Sequence, residues 1–254
     1  MNSNDTRLAG RTALVTGSTG GLGKSIAKAL AAAEAFVVVT GRDKVRGDAV
    51  VAEINAVGGE AAFVAGDLGV GQAEVRRVVD AAVESAGGRL DILINNAGIF
   101  GMPTPTAEID EEALLESLRT NVVAPFLLTG LLAPPMVRRG GGVIVNIGSI
   151  NGFNGADGSA LYSATKAANH SLTKSWAAEY GPHGVRVNAV APGPIATERN
   201  AEYADYLAPV LARIPSRRMS TPEEVAAAVV FLAGEGAANI HGAILSVDGG
   251  WAAV

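Results

Sequence analysis

Seven short runs of aliphatic residues recur along the chain, and helical stretches separate them. Each run is β-branched or aliphatic at nearly every position, which is typical of strands buried on both faces. Strands of this kind form parallel sheets covered by helices on both sides. The sequence therefore predicts an α/β fold, a doubly wound sheet of about seven parallel strands. The runs are TALVTG, FVVVTG, AAFVAG, DILIN, GVIVNIG, VRVNAVAPG and GAILSVDGG.

Neither a linker nor an internal repeat divides the 254 residues, so one domain spanning 1–254 is expected. Residues 193–220 break the strand–helix rhythm and are predicted to be an insertion that forms a lid over substrate. In the sequence STPEE, Ser220 or Thr221 is the predicted N-cap of the next helix.

Composition excludes several classes of function. The net charge is −5 with no basic stripe, so binding to nucleic acid is not expected. The chain has no cysteine, which excludes disulfides, thiolate metal sites and a cysteine nucleophile. The polar N-terminus does not resemble a signal peptide, and no unbroken apolar run reaches the length of a membrane span. A cytoplasmic protein is therefore expected. His170, His183 and His241 lack ligand spacing, so no metal site is expected.

The first predicted strand runs directly into TGSTGGLG, residues 16–23, and then into a helix. Glycines let the backbone approach a pyrophosphate, whose charge the N-terminus of the following helix stabilises. This strand–turn–helix context favours dinucleotide binding. The alternative is a tight turn that needs glycine only for packing.

The second predicted strand ends in TGRD. An acidic residue at this edge would bind a ribose 2′-hydroxyl, whereas an arginine would pair with a 2′-phosphate. Gly41 occupies the strand end and Arg42 follows it, which favours NADP. The alternative is that Arg42 is solvated and Asp43 binds the ribose.

Tyr162 and Lys166 are four positions apart in a helical stretch, so both side chains lie on one face of the helix. A free tyrosine has a pKa of about 10, and a neighbouring cation lowers it. The pair could therefore perform acid–base chemistry. The alternative is two polar residues on the wet side of an ordinary helix. Against it, the opposite face is apolar and is expected to pack, through Leu161, Ala168, Leu172 and Trp176.

Several motifs occur in a characteristic order, and together they resemble the short-chain dehydrogenase/reductase family over nearly the whole chain. Within the family, the sequence is most similar to the branch that contains 3-oxoacyl carrier-protein reductases and sugar or alcohol dehydrogenases. The motifs are TGSTGGLG, NNAG at residues 95–98, Ser149 after VIVNIG, Tyr162-x-x-x-Lys166, Pro192-Gly193 and the terminal VDGGW.

The resemblance implies a Rossmann-like domain and a role in catalysis for four residues. Tyr162 would be the general acid or base, and Ser149 would donate a hydrogen bond to the substrate oxygen. Lys166 would lower the pKa of Tyr162 and bind the nicotinamide ribose. Asn121 would hold a water of the proton relay. The alternative for Asn121 is a buried polar residue that is satisfied by backbone groups.

The resemblance also implies the residues that contact the cofactor. Many NADP-using relatives carry a basic residue at the position of Gly20, so only Arg42 supports NADP and NAD stays possible. Relatives are usually homotetramers, and a homotetramer or dimer is expected here. The implied contacts are Gly17, Thr19, Gly21, Leu22, Gly23, Arg42, Asp67, Leu68, Asn95, Ala97, Gly98, Tyr162, Lys166, Pro192, Gly193, Ile195 and Thr197.

These observations predict an NADP-dependent oxidoreductase that interconverts a small-molecule ketone or 3-oxo compound and a secondary alcohol. Phe100, Met102, Phe153 and Trp251 are candidates for the substrate pocket or, alternatively, for core and interface packing. An NAD-dependent alcohol or sugar dehydrogenase is the nearest alternative. A lyase on the same scaffold, such as a halohydrin dehalogenase, is disfavoured because Lys166 and the loop glycines are present. A non-catalytic nicotinamide sensor is the alternative from another class.

Overall fold

The computed structural model describes residues 7–100, 103–198 and 204–254, with the backbone alone for residues 204–206. Seven parallel strands form one sheet in the order β3-β2-β1-β4-β5-β6-β7. The predicted doubly wound sheet is thereby confirmed, and each strand coincides with one of the seven apolar runs. The strands are β1 Thr12–Val15, β2 Phe36–Gly41, β3 Glu60–Ala65, β4 Ile92–Asn95, β5 Gly142–Ile147, β6 Val185–Pro192 and β7 Ile244–Val247.

Helices cover both faces of the sheet. Along β1, Ala13 and Val15 join a core with Ile26 of the first helix, whereas Leu14 joins a second core with Leu128 on the other face. Side chains of a strand point alternately to opposite faces, so an unbroken apolar strand supplies both cores. The helices are α1 Gly21–Ala32, α2 Lys44–Ala56, α3 Gln72–Ser85, α4 Glu111–Leu118, α5 Ala124–Arg138, α6 Ala160–Tyr180, α7 Ala204–Leu211 and α8 Pro222–Ala233.

Thr221 is the N-cap of α8, and Pro222 is its first residue. The Thr221 hydroxyl accepts a hydrogen bond from the backbone N–H of Glu224, whose carboxylate accepts one from the backbone N–H of Thr221. This reciprocal capping box satisfies two of the donors that a helix start leaves unpaired. Of the two caps that the sequence allowed, the structure selects Thr221 rather than Ser220.

One helical segment, Glu111–Arg138, is long and apolar enough to cross a membrane by length and composition. The expectation from the sequence concerned unbroken apolar runs, whereas this segment reaches the length on its average hydropathy. Leu128, Leu132 and Met136 of this segment pack in the core against the sheet. The apolar character is thus explained by packing inside an α/β fold, whose central helices have this composition.

The strand order reverses between β1 and β4, because β1 connects onward to β2 on one side while β4 lies on its other side. Helices leave the two strands toward opposite faces and open a crevice at their carboxyl ends. Ligands of doubly wound sheets bind at such a point.

Candidate active site

Two cavities lie side by side at the carboxyl edge of the sheet, and they share Asn96, Gly98 and Ile99 in their walls. The first, about 360 Å³, is lined by residues that follow β5 and β6. The second, about 350 Å³, is lined by residues that follow β1, β2 and β3. A trough in two compartments matches the shape of a dinucleotide, which has two nucleoside halves joined by a pyrophosphate.

The glycine loop after β1 runs between the two compartments, since Gly17 and Thr19 line the second and Leu22 lines the first. Gly17 has φ +62° and Gly21 has φ +50°, values that L side chains rarely adopt. A Cβ on Gly23 would overlap the carbonyl oxygen of Gly17. Packing therefore accounts for part of the glycine requirement, and the loop also lies where a pyrophosphate between the compartments would be.

Asn96 holds this loop in place and was missed in the sequence. Its Nδ2 donates hydrogen bonds to the carbonyl oxygens of Thr16, at 2.8 Å, and Gly17, at 3.0 Å. The predicted cofactor residue Asn95 is instead buried in the interior, where its Nδ2 donates to Oδ1 of Asn146 at 2.9 Å. Asn95 pairs with Asn146 as the last residue of β4, so its side chain follows the strand alternation into the core. Ala97 and Gly98 line the cavities as expected.

Arg42 lines the second cavity, and its side chain is 76% exposed. Its Nη1 lies 3.8 Å from Oδ2 of Asp67, so one acidic group is already close to it. A Cβ at Gly41 would lie 2.7 Å from Cγ2 of Thr19, so a larger residue there would displace the Thr19 side chain. The predicted contacts Asp67 and Leu68 line the same cavity.

Asp43, the alternative ribose ligand, is occupied elsewhere as the N-cap of α2. Its carboxylate accepts hydrogen bonds from the backbone N–H of Arg46, at 3.0 Å, and from Nε of Arg46, at 2.8 Å. These contacts, the backbone hydrogen bond first, hold the pKa of Asp43 below its ordinary value. Arg46 itself lines the second cavity and is a second cation that the sequence reasoning missed.

Tyr162 and Lys166 both line the first cavity, together with Ser149. Nζ of Lys166 lies 5.6 Å from the centroid of the Tyr162 ring and donates a hydrogen bond to the carbonyl oxygen of Ile147 at 2.8 Å. Burial lowers the pKa of Lys166 to about 8, because leaving water disfavours the charged amine. The two side chains share one face of α6, and the wet-surface alternative is wrong.

The prediction that Lys166 lowers the pKa of Tyr162 is not what this structure shows. Burial raises the pKa of Tyr162 to about 12, and a hydrogen bond from Ser149 offsets only part of that effect. Desolvation outweighs a cation that lies beside the ring rather than at the oxygen. The edge-to-face contact with Phe100, at 5.1 Å between centroids, contributes to this burial.

The buried face of α6 is largely polar. The apolar face expected to pack is only half-buried at Leu161, Ala168 and Leu172, while Trp176 is buried. Thr173 accepts a hydrogen bond from Nδ2 of Asn146 at 2.8 Å and continues the interior chain of amides that starts at Asn95. The polar side chains buried along α6 are Thr165, Lys166, Asn169, His170 and Thr173.

Ser149 follows β5 and caps the short 3₁₀ turn Ile150–Gly152, its Oγ accepting from the backbone N–H of Asn151 at 3.2 Å. His170, one helical turn beyond Lys166, packs behind this loop: a Cβ on Gly148 would overlap its Nε2, and one on Gly152 would lie 2.7 Å from its Nδ1. His170 is 5% exposed.

Burial, followed by the charges of Lys166 and Lys174, lowers the pKa of His170 to about 4. The imidazole is therefore neutral at physiological pH, and the Gly152 backbone offsets only part of the lowered pKa. Within the described residues neither side-chain nitrogen has a hydrogen-bond partner. No sequence pattern singled out this residue beyond excluding it as a metal ligand.

Asn121 lies in a single π-helical turn, Arg119–Val123, between α4 and α5. Its Oδ1 accepts from the backbone N–H of Ile99 at 2.7 Å, and its Nδ2 donates to the carbonyl oxygen of Ile99 at 3.0 Å and to Oγ1 of Thr165 at 3.1 Å. The amide is thus satisfied largely by backbone, as the alternative reading allowed. Its contacts tie the loop after β4 to the helix that carries Tyr162.

The segment after β6 lines the first cavity through Pro192, Gly193, Ile195 and Thr197, as predicted. Of the substrate-pocket candidates, Phe100 and Trp251 line this cavity. Phe153 does not; its ring lies 4.6 Å from that of His170 and is 47% exposed. Met102 lies outside the described residues.

No group of three or more histidine, aspartate or glutamate side chains in the described part of the chain could hold a metal ion.

A family model described as short chain dehydrogenase matches residues 11–207. An uncharacterised oxidoreductase of Thermotoga maritima is 37% identical, over 96% of this chain and 98% of the relative. A 3-oxoacyl-acyl-carrier-protein reductase of Aquifex aeolicus is 39% identical, over 96% of this chain and 98% of the relative. A crystal structure of a candidate NAD(P)-dependent gluconate 5-dehydrogenase from Beutenbergia cavernae, with bound NADP, superposes with a TM-score of 0.93 at 38% identity and covers 98% of this chain and 100% of that one.

Proposed function

Because the chain belongs to the short-chain dehydrogenase/reductase family of NAD(P)-dependent oxidoreductases, we propose that it interconverts a ketone or 3-oxo compound and a secondary alcohol with NADP as the preferred cofactor. One observation carries the proposal. Ser149, Tyr162 and Lys166 face a common cavity, and the glycine loop adjoins it. The residues present fit a dinucleotide, which when bound supplies or accepts the hydride.

Tyr162 is the proton donor to the substrate oxygen in the direction of ketone reduction. A pKa raised to about 12 keeps its hydroxyl protonated near neutral pH, which suits a general acid. Ser149, hydrogen-bonded to Tyr162, donates to the same oxygen and stabilises the charge that develops there. In the oxidation direction Tyr162 accepts the proton, and this direction requires added positive charge near the phenol.

Lys166 orients the nicotinamide ribose and keeps a positive charge beside Tyr162. Its hydrogen bond to the carbonyl oxygen of Ile147 uses one of three N–H donors and fixes the position of the amine. Asn121 organises the relay that returns a proton to Tyr162, since it joins the Ile99 backbone to Thr165, the neighbour of Lys166.

NADP is favoured over NAD by two cations in the compartment for the adenosine half. Arg42 and Arg46 both line it, whereas the carboxylate of Asp43 is bound to α2. A guanidinium pairs well with a phosphate, and Arg46 is at present paired with the carboxylate of Asp43, Nε to Oδ2 at 2.8 Å. Asp67 near Arg42 weakens this preference, which keeps an NAD-dependent alcohol or sugar dehydrogenase as the second candidate.

The chain acts as a single domain in the cytoplasm, with a homotetramer, or a dimer, as the assembly. Residues 193–220 form the substrate lid, of which residues 199–203 lie outside the described part of the chain. Leu207 and Val210 of α7 line the first cavity, as a lid requires. The segment α4–α5 exposes Leu114, Val123 and Phe126 to solvent, an apolar surface suited to a second subunit.

Loss of NADPH absorbance with a panel of ketones tests the proposal. Turnover that disappears in Tyr162→Phe supports it. NADPH binding with no turnover of any carbonyl compound or alcohol would instead favour a non-catalytic sensor.

A further inference from the structure

The wall of the first cavity that faces Ser149 and Tyr162 is built from apolar side chains. They come from four separate parts of the chain: the loop after β4, the loop after β5, α7 and the C-terminal turn. The residues are Phe100, Pro103, Ile150, Leu207, Val210 and Trp251.

Lys166 is the one charged side chain among the described residues that line this cavity. Its Nζ is bound to the carbonyl oxygen of Ile147, at the base of the cavity. A carboxylate or phosphate on the substrate would lose its hydration on entering and, among the residues that the structure describes, would meet no dedicated cation. Burying an ion without a partner costs far more than burying a neutral group.

Asn151 and Ser159 supply uncharged polarity on the rim of the same cavity. Nδ2 of Asn151 lies 3.4 Å from Oγ of Ser159, a long hydrogen bond that leaves both groups able to bind a further partner. A pair of neutral donors and acceptors of this kind binds one hydroxyl or carbonyl group.

The space available to substrate is smaller than the whole cavity. Of its roughly 360 Å³, part lies against Leu22 and the segment after β6, which are among the cofactor contacts that the family resemblance implies. Ligand pockets that take drug-sized molecules span about 300–1,000 Å³, so the remainder suits a compact molecule.

We propose that the substrate is a compact, uncharged ketone or secondary alcohol with an apolar body and at most one additional polar group. The reacting oxygen lies between Ser149 and Tyr162, the body contacts Leu207, Val210 and Trp251, and the additional group reaches Asn151. This inference rests on the proposed function and concerns the substrate of that site.

Three cyclohexanones that differ only at carbon 4 test it: 4-methylcyclohexanone, 4-hydroxycyclohexanone and 4-oxocyclohexanecarboxylate. NADPH-dependent kcat/KM should be at least about tenfold higher for the methyl compound than for the carboxylate, with the hydroxy compound near the methyl one. Equal or faster reduction of the carboxylate would overturn the inference. Reduction of none of the three compounds would overturn it as well.

Leu207→Arg places a cation in the apolar wall, and Ala208→Arg places the same charge on the exposed side of the same helix. The first should lower the methyl-to-carboxylate ratio of kcat/KM about tenfold, while the second should keep the wild-type ratio. An unchanged ratio in Leu207→Arg would contradict the assignment of α7 to the substrate. NADPH binding and melting temperature show whether both variants fold. The comparison of the three cyclohexanones with the wild type tests the inference independently of the variants.

The two proposals fail in different ways. If the wild type prefers the carboxylate and Tyr162→Phe abolishes that turnover, the substrate class is wrong and the reaction is right. If no carbonyl compound of any class is reduced, the reaction itself is wrong.

Discussion

Nζ of Lys166 lies 5.6 Å from the Tyr162 ring centroid, and its hydrogen bond goes to the main chain of Ile147. The cation therefore stands beside the phenol without touching its oxygen. Burial moves the two pKa values in opposite directions, to about 12 for Tyr162 and about 8 for Lys166, and each shift favours the neutral form. The site without cofactor is thus set for proton donation by Tyr162.

Tyr162→Phe removes the proposed proton donor with little change in shape. We expect kcat to fall about 10²- to 10⁴-fold, the usual contribution of a positioned acid, with NADPH affinity changed little. Tyr180→Phe makes the same chemical change near the end of α6 and serves as the control. Full turnover in Tyr162→Phe would refute the assignment.

The pH dependence of kcat/KM reports the charge of Lys166. Its pKa is lowered to about 8, so the charge is present below that pH and is lost as pH rises through it. We expect kcat/KM for NADPH to fall above pH 8 in the wild type. In Lys166→Arg the side chain stays charged, and any remaining activity should lose this alkaline decline. Lys174 is exposed two turns further along α6, so Lys174→Arg should retain the decline of kcat/KM above pH 8.

Arg42→Ala tests the preference for NADP. Loss of one guanidinium–phosphate contact should weaken NADPH binding about tenfold or more and leave NADH binding unchanged. Lys44→Ala removes an exposed cation of α2 that is paired with Asp48 and does not line the cavity. Fluorescence titration with NADH and NADPH measures all six affinities of the wild type and the two variants. Equal affinity of the wild type for NADH and NADPH, unaltered in Arg42→Ala, would show that the cofactor assignment is wrong.

His170 should make the fold sensitive to acid. Its pKa is depressed to about 4 in the folded chain and is about 6.5 when unfolded, so the unfolded chain binds the extra proton between these values. Its contribution to stability is present above pH 6.5 and is lost as pH falls toward 4. Lys166, Lys174 and the Gly152 backbone are the groups that act on it.

His170→Phe removes this titration while keeping a ring at the buried position behind the loop after β5. In the wild type, the titration of His170 should lower the unfolding free energy by as much as about 2 kcal/mol between pH 7 and pH 5. The fall in melting temperature over this pH range should therefore be smaller in His170→Phe than in the wild type. His183→Asn, on the exposed surface, is the control. An equal acid shift in wild type and His170→Phe would exclude His170 as its source.

A substitution at Phe126 tests the oligomeric state, because this apolar side chain is 54% exposed on α5 and belongs to the surface proposed to bind a second subunit. Phe126→Glu should shift the light-scattering mass toward that of the 25.7 kDa monomer. Val45→Glu, which charges an isolated exposed valine of α2, should not. A monomeric wild type would disprove the expected homotetramer.

The fold could be predicted because a strand that is buried on both faces of the sheet is apolar at every position, as β4 is around Leu93. A helix start at Ser220 or Thr221 was also visible, and the capping box that selects Thr221 is a contact between residues close in sequence. What could not be predicted depends on partners far apart in the chain. Asn95 and Asn96 are adjacent and chemically identical, and only the pairing of β4 with β5 decides which one reaches the cleft.

Arg46 and His170 were missed for a related reason. Arg46 reaches the cofactor compartment only because α2 starts beside it. His170 packs behind the loop that carries Ser149 only because Gly148 and Gly152 let it approach. The direction of the Tyr162 pKa also depends on how deeply the phenol is buried, which spacing along a helix does not specify.

The π-helical turn at Asn121 has one residue more than a regular α-helix would use there. Deleting a residue from it would straighten the segment but rotate all of α5 by about 100° relative to α4. Leu128 and Leu132 would then leave the sheet, and the amide that clamps Ile99 would move away. Natural length variation should accordingly accumulate in the surface connections of this protein and be missing from this turn.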